Sequence, residues 1–441
     1  MDRKAKQRRV VELAKDVVIV ALVCSALFLA SRIQLLDELG GAPAGEEQQS
    51  GVVQTPEGSR ADAARPLRLV ANLTGAGSPV RYGVQYDTQQ SDLLFQQVAS
   101  LLAEALSSAG EPTQVSRQEW EQALANAPGV AFDFQGTIPL PVLVGWLSGE
   151  NTALDGSVRR LVLTTYENQV AVYYRDEESQ RYYRCLSAMA NQLHLTEALG
   201  NLGENGAQYA FETESYPMLD PDTLISADTP VPVVYTAANP ASGGQADLET
   251  ILNELGFASS NGSFYTSVDG QVARIGSDTL RLYDQGVVEY QAGEEGAGFF
   301  QISARDEESF LFEAVEMCRQ LTAATLGTRS GAARFYLSQV RQAEDGLEVS
   351  FNYCLNGSVV RLEGGEAAEF SIQNGQIASF RLVLRSYTDS GKTSVVMPVL
   401  QAAAAMEAQG LKGKELLLMY TDTGSDTVTA GWMAADSGQE D

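Results

Sequence analysis

The alternation of apolar and polar residues along the chain predicts many short strands and a few amphipathic helices. Alternating segments such as LRLVANL (67–73) and VRYGVQYD (80–87) are typical of half-buried strands. Apolar residues at helical spacing, bounded by polar start signals and glycines, predict helices. The predicted helices cover 91–109, 116–126, 187–200, 246–257, 307–327 and 395–410. Strands joined by turns outnumber them, so the pattern predicts an α+β fold with antiparallel sheets.

The predicted elements group into three successive modules of mixed strands and helices. The first module, 67–205, holds two early strands, three helices and a long hairpin. The second, 206–328, holds a run of strands and a long helix, and the third, 329–436, is rich in strands. A segment rich in Gly, Pro, Glu and Gln, 37–66, precedes them and is typical of a linker, because it has little to bury.

The N-terminal region carries a long apolar run, VVIVALVCSALFLAS (17–31), without a charge. The run extends through Arg32 to Leu36, and an Arg near a helix end can reach the lipid headgroups. The resulting 20 residues, 17–36, are enough to cross a membrane once. Residues 1–16 hold six Lys and Arg against three acidic residues, which favours the cytoplasm for this end. The sequence therefore predicts a single-pass membrane protein with the bulk of the chain extracellular.

Two cleaved alternatives fit the same run less well. Signal peptidase needs small residues at both recognition positions, and a cut after Ala30 places Phe28 at one of them. A lipoprotein would be modified at Cys24, but the residue before such a cysteine is normally small and here it is Val23. We therefore expect an uncleaved anchor.

Small residues within the anchor suggest a helix–helix contact. Membrane helices associate closely where small residues recur four positions apart. The candidate partner-binding residues are Ala21, Cys24, Ser25, Ala26 and Ala30. The alternative is a lipid-facing anchor in which these residues have no partner.

Composition limits the classes of partner. The net charge of −27 opposes binding to nucleic acid or to an anionic membrane surface. A hydrophobic content of 44% is typical of folded modules rather than a disordered chain. We therefore expect an acidic, folded extracellular part that binds no nucleic acid.

Candidate catalytic and metal-binding residues are scarce. His194 is the single histidine, and Cys185, Cys318 and Cys354 are far apart, so neither a nucleophile–histidine pair nor a zinc site is indicated. The three thiols fit either buried side chains or one disulfide with a leftover cysteine. SGKTS (390–394) is interpreted as a polar turn, because a phosphate loop needs Gly where Ser386 stands. The sequence predicts no enzyme, cofactor or metal site, and a carboxylate-dependent envelope hydrolase stays as an alternative.

Several segments resemble the YycH family. FDFQGTIPLPVL (132–143) is similar to the family's aromatic strand before a Pro-flanked helix. SFYTSVDGQVARIGSDTLRLYDQGVVEYQAG (263–293) is similar to its central stretch, with an Asp-Gly turn and a VEY strand. The tail, with a Pro-containing helix and a final hairpin that carries Trp432, also resembles the family. The order of elements and the single anchor match those of the YycH family over nearly the whole chain. The C-terminal part also resembles that of the shorter YycI family.

The resemblance implies a regulatory function. YycH and YycI proteins are accessory regulators of the WalK–WalR two-component system of low-GC Gram-positive bacteria, which controls cell-wall homeostasis. They lie beside the sensor histidine kinase and tune it, partly through membrane-helix contacts. The expected partners are therefore a WalK-type kinase and a YycI-like sister protein. The alternative from another class is an exported protein that binds a ligand or a cell-wall polymer.

Overall fold

The computed structural model describes the greater part of the chain after its N-terminal region. The described residues are 60–74, 80–150, 152–188, 190–241, 243–257, 262–293, 298–344 and 346–436. The predicted membrane segment, 17–36, and most of the predicted linker, 37–66, lie outside them. Among the described helices, none is both long and apolar enough to cross a membrane.

Strands make up most of the regular structure in these residues. The strands are β1 (Arg68–Leu73), β2 (Val80–Val84), β3 (Thr113–Val115), β4 (Gly129–Pro139), β5 (Ser157–Tyr166), β6 (Gln169–Asp176), β7 (Tyr182–Leu186), β8 (Gln208–Tyr209), β9 (Leu224–Ile225), β10 (Val233–Ala238), β11 (Gly262–Thr266), β12 (Gly270–Ile275), β13 (Asp278–Tyr283), β14 (Val287–Gln291), β15 (Arg334–Ala343), β16 (Gly346–Leu355), β17 (Ser358–Leu362), β18 (Ala368–Gln373), β19 (Gln376–Val383), β20 (Ser386–Thr393), β21 (Glu415–Asp422) and β22 (Thr427–Ala435).

Helices alternate with these strands in the first two thirds of the described chain and are rarer after it. They are α1 (Arg60–Ala63), α2 (Thr88–Ser107), α3 (Arg117–Ala125), α4 (Leu140–Ser148), α5 (Gln192–Leu199), α6 (Gln245–Glu254), α7 (Glu307–Thr322) and α8 (Val399–Ala408). A wider turn of π-helix at Ala323–Gly327 continues α7. The α+β prediction is confirmed.

Helices α2 and α8 begin at residues other than those predicted, for local reasons. α2 starts one turn before the predicted Ser91, because Asp87 caps it by accepting a hydrogen bond from the Gln90 amide. α8 starts at Val399 and not at 395, because the residue before Pro398 is sterically disfavoured in helical conformation. Both differences result from a helix cap or from proline geometry, and the spacing of the apolar residues does not indicate either.

The first sheet has seven antiparallel strands in the order β2-β1-β4-β5-β6-β7-β3. The apolar stripe of α2, which includes Leu94, Val98 and Leu102, belongs to the core on one face of this sheet. On the other face, Trp120 of α3 packs with Val162 of β5 in a second apolar cluster. Helical residues therefore cover both faces of the sheet.

The second sheet is larger and is built from the later strands. Its thirteen strands follow the order β11-β12-β13-β14-β19-β18-β16-β17-β21-β22-β10-β20, with β15 beside β16. Its pairs are antiparallel apart from β17 with β21. Val315 and Leu321 of α7 join the core on one face of this sheet, together with Phe380 of β19. Strands from 262–291 and 334–435 thus share one sheet, while the predicted module boundaries at 206 and 329 stay a prediction.

The two sheets meet where β4 passes close to β15. A side chain at Gly136 of β4 would collide with the backbone of Leu337 and Ser338, so this crossing requires glycine. A cluster of buried charges lies at the same junction. Glu415 of β21 accepts hydrogen bonds from Arg68 of β1 at 2.9 Å and from Arg160 of β5 at 2.6 Å. Backbone contact and ion pairing therefore join the two sheets.

Candidate functional site

The partner-binding residues predicted from the sequence, Ala21, Cys24, Ser25, Ala26 and Ala30, lie outside the described residues. Their role in helix–helix contact stays a prediction. The candidate site described below is one that the sequence analysis did not identify.

The candidate site is a groove of about 650 Å³ on one face of the large sheet. This volume falls within the range of ~300–1,000 Å³ that is usual for ligand sites. In β13 and β18, buried and half-buried residues alternate, so every second side chain points away from the α7 core. These outward side chains form the groove floor, and all of them are polar or charged.

The floor consists of two parallel rows of side chains that run across six strands. In the first row each residue is the direct cross-strand neighbour of the next: Arg281, Glu289, Arg381, Glu369, Ser350 and Gln339. The second row is formed in the same way by Thr279, Gln291, Ser379, Ser371, Glu348 and Arg341. Because adjacent strands lie about 4.8 Å apart, each row is about 24 Å long.

The charges in the first row are only loosely paired. Arg281 Nη1 donates to the Tyr283 hydroxyl at 3.0 Å, and that hydroxyl donates to Glu289 at 2.7 Å. Arg381 Nη1 lies 3.8 Å from the Glu369 carboxylate, which is beyond hydrogen-bonding distance. The row therefore keeps hydrogen-bonding capacity that its own members do not use.

Three atoms around the groove are buried and have no hydrogen-bond partner among the described residues. They are Nε of Arg281, Nη1 of Arg381 and Oε2 of Glu366, which lies in the loop before β18. Buried polar atoms in proteins are nearly always hydrogen-bonded, because leaving one unpaired costs free energy. All three atoms belong to residues that line the groove, so its lining holds hydrogen-bonding groups that the fold leaves unsatisfied.

Glu366 has a perturbed acidity. Burial raises the pKa of its carboxyl to about 7, and the negative charge of Glu369 adds to this rise. The carboxyl can therefore hold or release a proton near neutral pH, so it can donate or accept a hydrogen bond to a ligand.

The raised pKa of Glu366 predicts a pH-dependent stability. An unfolded Glu ionises near pH 4.3, whereas the folded carboxyl keeps its proton up to about pH 7. Its contribution is therefore fully present below about pH 4.3, falls as the pH rises from there, and is lost once the pH passes about 7. Glu366→Gln removes this loss, so its unfolding free energy relative to the native protein should rise by on the order of 2 kcal/mol between pH 5 and 8. Urea unfolding at several pH values measures this difference, and a constant difference would contradict it.

The buried ion cluster between the sheets is a second group of charges. Glu415 is fully buried and accepts from Arg159 at 2.6 Å as well as from Arg68 and Arg160. Although burial opposes it, the three guanidinium groups lower the pKa of Glu415 to about 2 and hold that of Asp133 well below its usual range. The space beside the cluster is about 20 Å³, which is too small for anything larger than a water molecule. We therefore assign the cluster a structural role.

The other sequence candidates take the following places. His194 is exposed on α5, and Cys185, Cys318 and Cys354 are buried free thiols, which agrees with the first of the two interpretations of the cysteines. Within the described residues, no group of three or more His, Cys, Asp or Glu side chains could hold a metal ion.

The interpretation of SGKTS as a turn is wrong. Most of it lies in β20, where the pairing register with β10 shifts and Gly391 has a φ of 70°.

Comparison with known proteins identifies a shared fold. No family model matches the chain, and no curated protein matches it. Among solved structures, the crystal structure of YycH from Bacillus subtilis is similar, with a TM-score of 0.54 and 13% sequence identity. The match covers 88% of this chain and 97% of that chain. The chain therefore has a YycH-like fold.

Proposed function

We propose that this protein is a membrane-anchored extracellular regulator of a WalK-type sensor histidine kinase. The observation that supports the proposal is the YycH-like fold, which extends over 88% of this chain. The segments at 132–143 and 263–293 support it further, because they resemble the family whose members regulate this kinase.

In this proposal, two parts of the chain have different functions. The segment 17–36 anchors the protein beside the kinase, and its small residues allow close contact between membrane helices. The strand-rich extracellular part contacts the kinase or a YycI-like sister protein. Regulation then follows from a change in these contacts, without a chemical step on the kinase.

We expect a membrane pull-down to recover the kinase only with the anchored protein. The full-length chain and a version that begins at Gly40 are compared by mass spectrometry of the co-purified membrane proteins. The proposal predicts a sensor histidine kinase with the full-length chain and its loss with the shorter one, because the membrane contact has been removed.

A third version separates anchoring from recognition. Replacement of 17–36 by a polyleucine helix of equal length keeps the protein in the membrane and removes the small residues. If this version still binds and regulates the kinase, the contact lies in the extracellular part and not in the anchor. If no version recovers a kinase, the regulatory proposal is wrong.

One observation favours a second function. The unpartnered polar atoms of Arg281, Arg381 and Glu366 suit an exported protein that binds a ligand, which is the alternative stated from the sequence. Binding of a ligand and regulation of a kinase are compatible, since a ligand could alter the contacts of a regulator.

A further inference from the structure

We propose that the groove on the large sheet binds a short extended peptide that carries both acidic and basic side chains. The proposal concerns the floor rows defined above and does not depend on the kinase. It rests on the order of charges along the first row, on the unused hydrogen-bonding atoms and on the position of the aromatic rings.

The charges in the groove favour a ligand with both signs. Its lining holds three Arg and four Glu side chains. Two of each sign alternate along the first row, in the order Arg281, Glu289, Arg381 and Glu369, instead of forming separate patches. A polyanion would meet Glu289 and Glu369, and a polycation would meet Arg281 and Arg381. Complementary charge determines which partners are accepted, so a ligand of one sign is disfavoured.

The unpaired atoms suggest where each group of the ligand lies. Arg281 on β13 and Arg381 on β19, each with one nitrogen that has no hydrogen-bond partner among the described residues, lie two strands apart, which is about 10 Å. The carboxylates of Glu366 and Glu369 lie near β18, about one strand spacing beyond Arg381. Glu289, between the two arginines, already accepts from the Tyr283 hydroxyl. The row therefore offers two positions for acidic groups, at the arginines, followed by one position for a basic group.

An extended peptide fits this order. Alternate side chains of a strand point the same way and repeat about every 6.7 Å, so three of them span about 13 Å. This span is close to the three strand spacings, about 14 Å, between Arg281 and Glu369. The expected ligand has the form acidic-x-acidic-x-basic, and Ser, Thr and Gln of the second row can bond its backbone.

A carbohydrate fits the groove less well than a peptide. Sugar rings bind proteins largely by stacking on exposed aromatic faces. Tyr290, Phe370 and Phe380 lie along the groove, but each is at most 3% exposed, because its ring packs in the core beneath the floor. The accessible surface is instead built of side chains that donate and accept hydrogen bonds.

Three synthetic peptides test the proposal with the full-length protein in detergent micelles. The probe is Glu-Ser-Glu-Ser-Lys with blocked termini, and the comparison peptides carry Glu or Lys at all three charged positions. Isothermal titration calorimetry at low salt should give a Kd below about 1 mM for the mixed peptide. Its affinity should exceed that of each comparison peptide at least about ten-fold, and should fall as salt is added.

Two groove variants and one matched control locate the binding. Arg381→Gln removes a free donor, and Ser371→Tyr fills the centre of the groove on the face away from the core. Each should weaken the mixed peptide at least about five-fold, since each removes part of the site. Arg361→Gln changes an exposed Arg of the same sheet outside the groove and should leave the affinity unchanged. Thermal unfolding checks that all three variants fold.

Three results would overturn the proposal. The first is equal affinity for the three peptides, or no binding below about 1 mM. The second is an equal loss in the Arg361→Gln control. The third is self-association of the protein that Ser371→Tyr abolishes, since the groove would then hold a second copy of this chain. None of these results depends on recovery of a kinase.

Discussion

Glu415→Ala should lower the free energy of unfolding by about 3–5 kcal/mol. The Glu415 side chain is fully buried and accepts hydrogen bonds from Arg68, Arg159 and Arg160. Its removal leaves three guanidinium groups at the junction of the two sheets, with Asp133 as a shared carboxylate and Asp222 4.0 Å from Arg160. An uncompensated buried charge costs far more than the loss of a neutral contact. Equilibrium unfolding in urea, followed by circular dichroism, measures the change.

Glu348→Ala is the matched control for this prediction. Glu348 also pairs with an Arg, but its side chain is 43% exposed and that of Arg341 is 63% exposed. Solvent screens such a pair, so the expected cost is below about 1 kcal/mol. Similar costs for the two variants would show that the buried cluster does not hold the sheets together.

Asp422→Ala should destabilise the protein by a similar amount, about 3–5 kcal/mol. Asp422 is 2% exposed and accepts two hydrogen bonds from Arg385 and one from the Tyr387 hydroxyl, each at 2.8 Å. Among the described residues, alanine leaves the Arg385 guanidinium with the Ser425 carbonyl as its remaining hydrogen-bond partner and leaves the Tyr387 hydroxyl unpaired. Urea unfolding again measures the cost.

Asp426→Ala in the same hairpin is the control. Asp426 is exposed, and its contribution to the fold comes through its backbone carbonyl, which alanine retains. Its substitution should change stability by less than about 0.5 kcal/mol.

Asp422→Asn keeps the shape of the side chain and removes its charge. A cost close to that of Asp422→Ala would show that charge, and not hydrogen-bond geometry, stabilises this site.

Glu415 and Asp422 are the first and last residues of the same strand, β21, whose sequence is ELLLMYTD. An apolar run between two charged residues is typical of a strand whose ends reach solvent. Both ends of β21 are buried instead, because β17 and β22 flank the strand and arginines from elsewhere in the chain meet its carboxylates. Nothing within these eight residues indicates that burial.

The helix boundaries show which features can be predicted from neighbouring residues in the sequence. The prediction of 116–126 agrees with α3 to one residue at each end, because Ser116 caps the helix and accepts from the Glu119 amide. The prediction of 187–200 is too long, since α5 begins after the Asn191 cap. Helix interiors depend on neighbours four residues apart, whereas helix ends depend on individual caps and prolines.

The groove could not be predicted from the sequence either, and the reason differs from the one that applies to the helix ends. Its outward residues in 279–291 and 369–381 alternate with apolar ones, which indicates that each strand has one polar face. The pairing of β14 with β19 places Glu289 beside Arg381, which is 92 positions later in the chain, as the register Glu289↔Arg381 shows. Many other strand orders would satisfy the same alternation, so the sequence does not identify which polar faces combine.

The sequence by itself determined the α+β class, the position of most strands and helices, and the polarity of each strand face. It could do so because these features depend on residues that are close together along the chain. The tertiary structure alone decided the order of the thirteen strands, the burial of Glu415 and Asp422, and the two rows that form the groove. These features depend on contacts between distant segments, whose free energy is set by the burial and pairing of the whole fold.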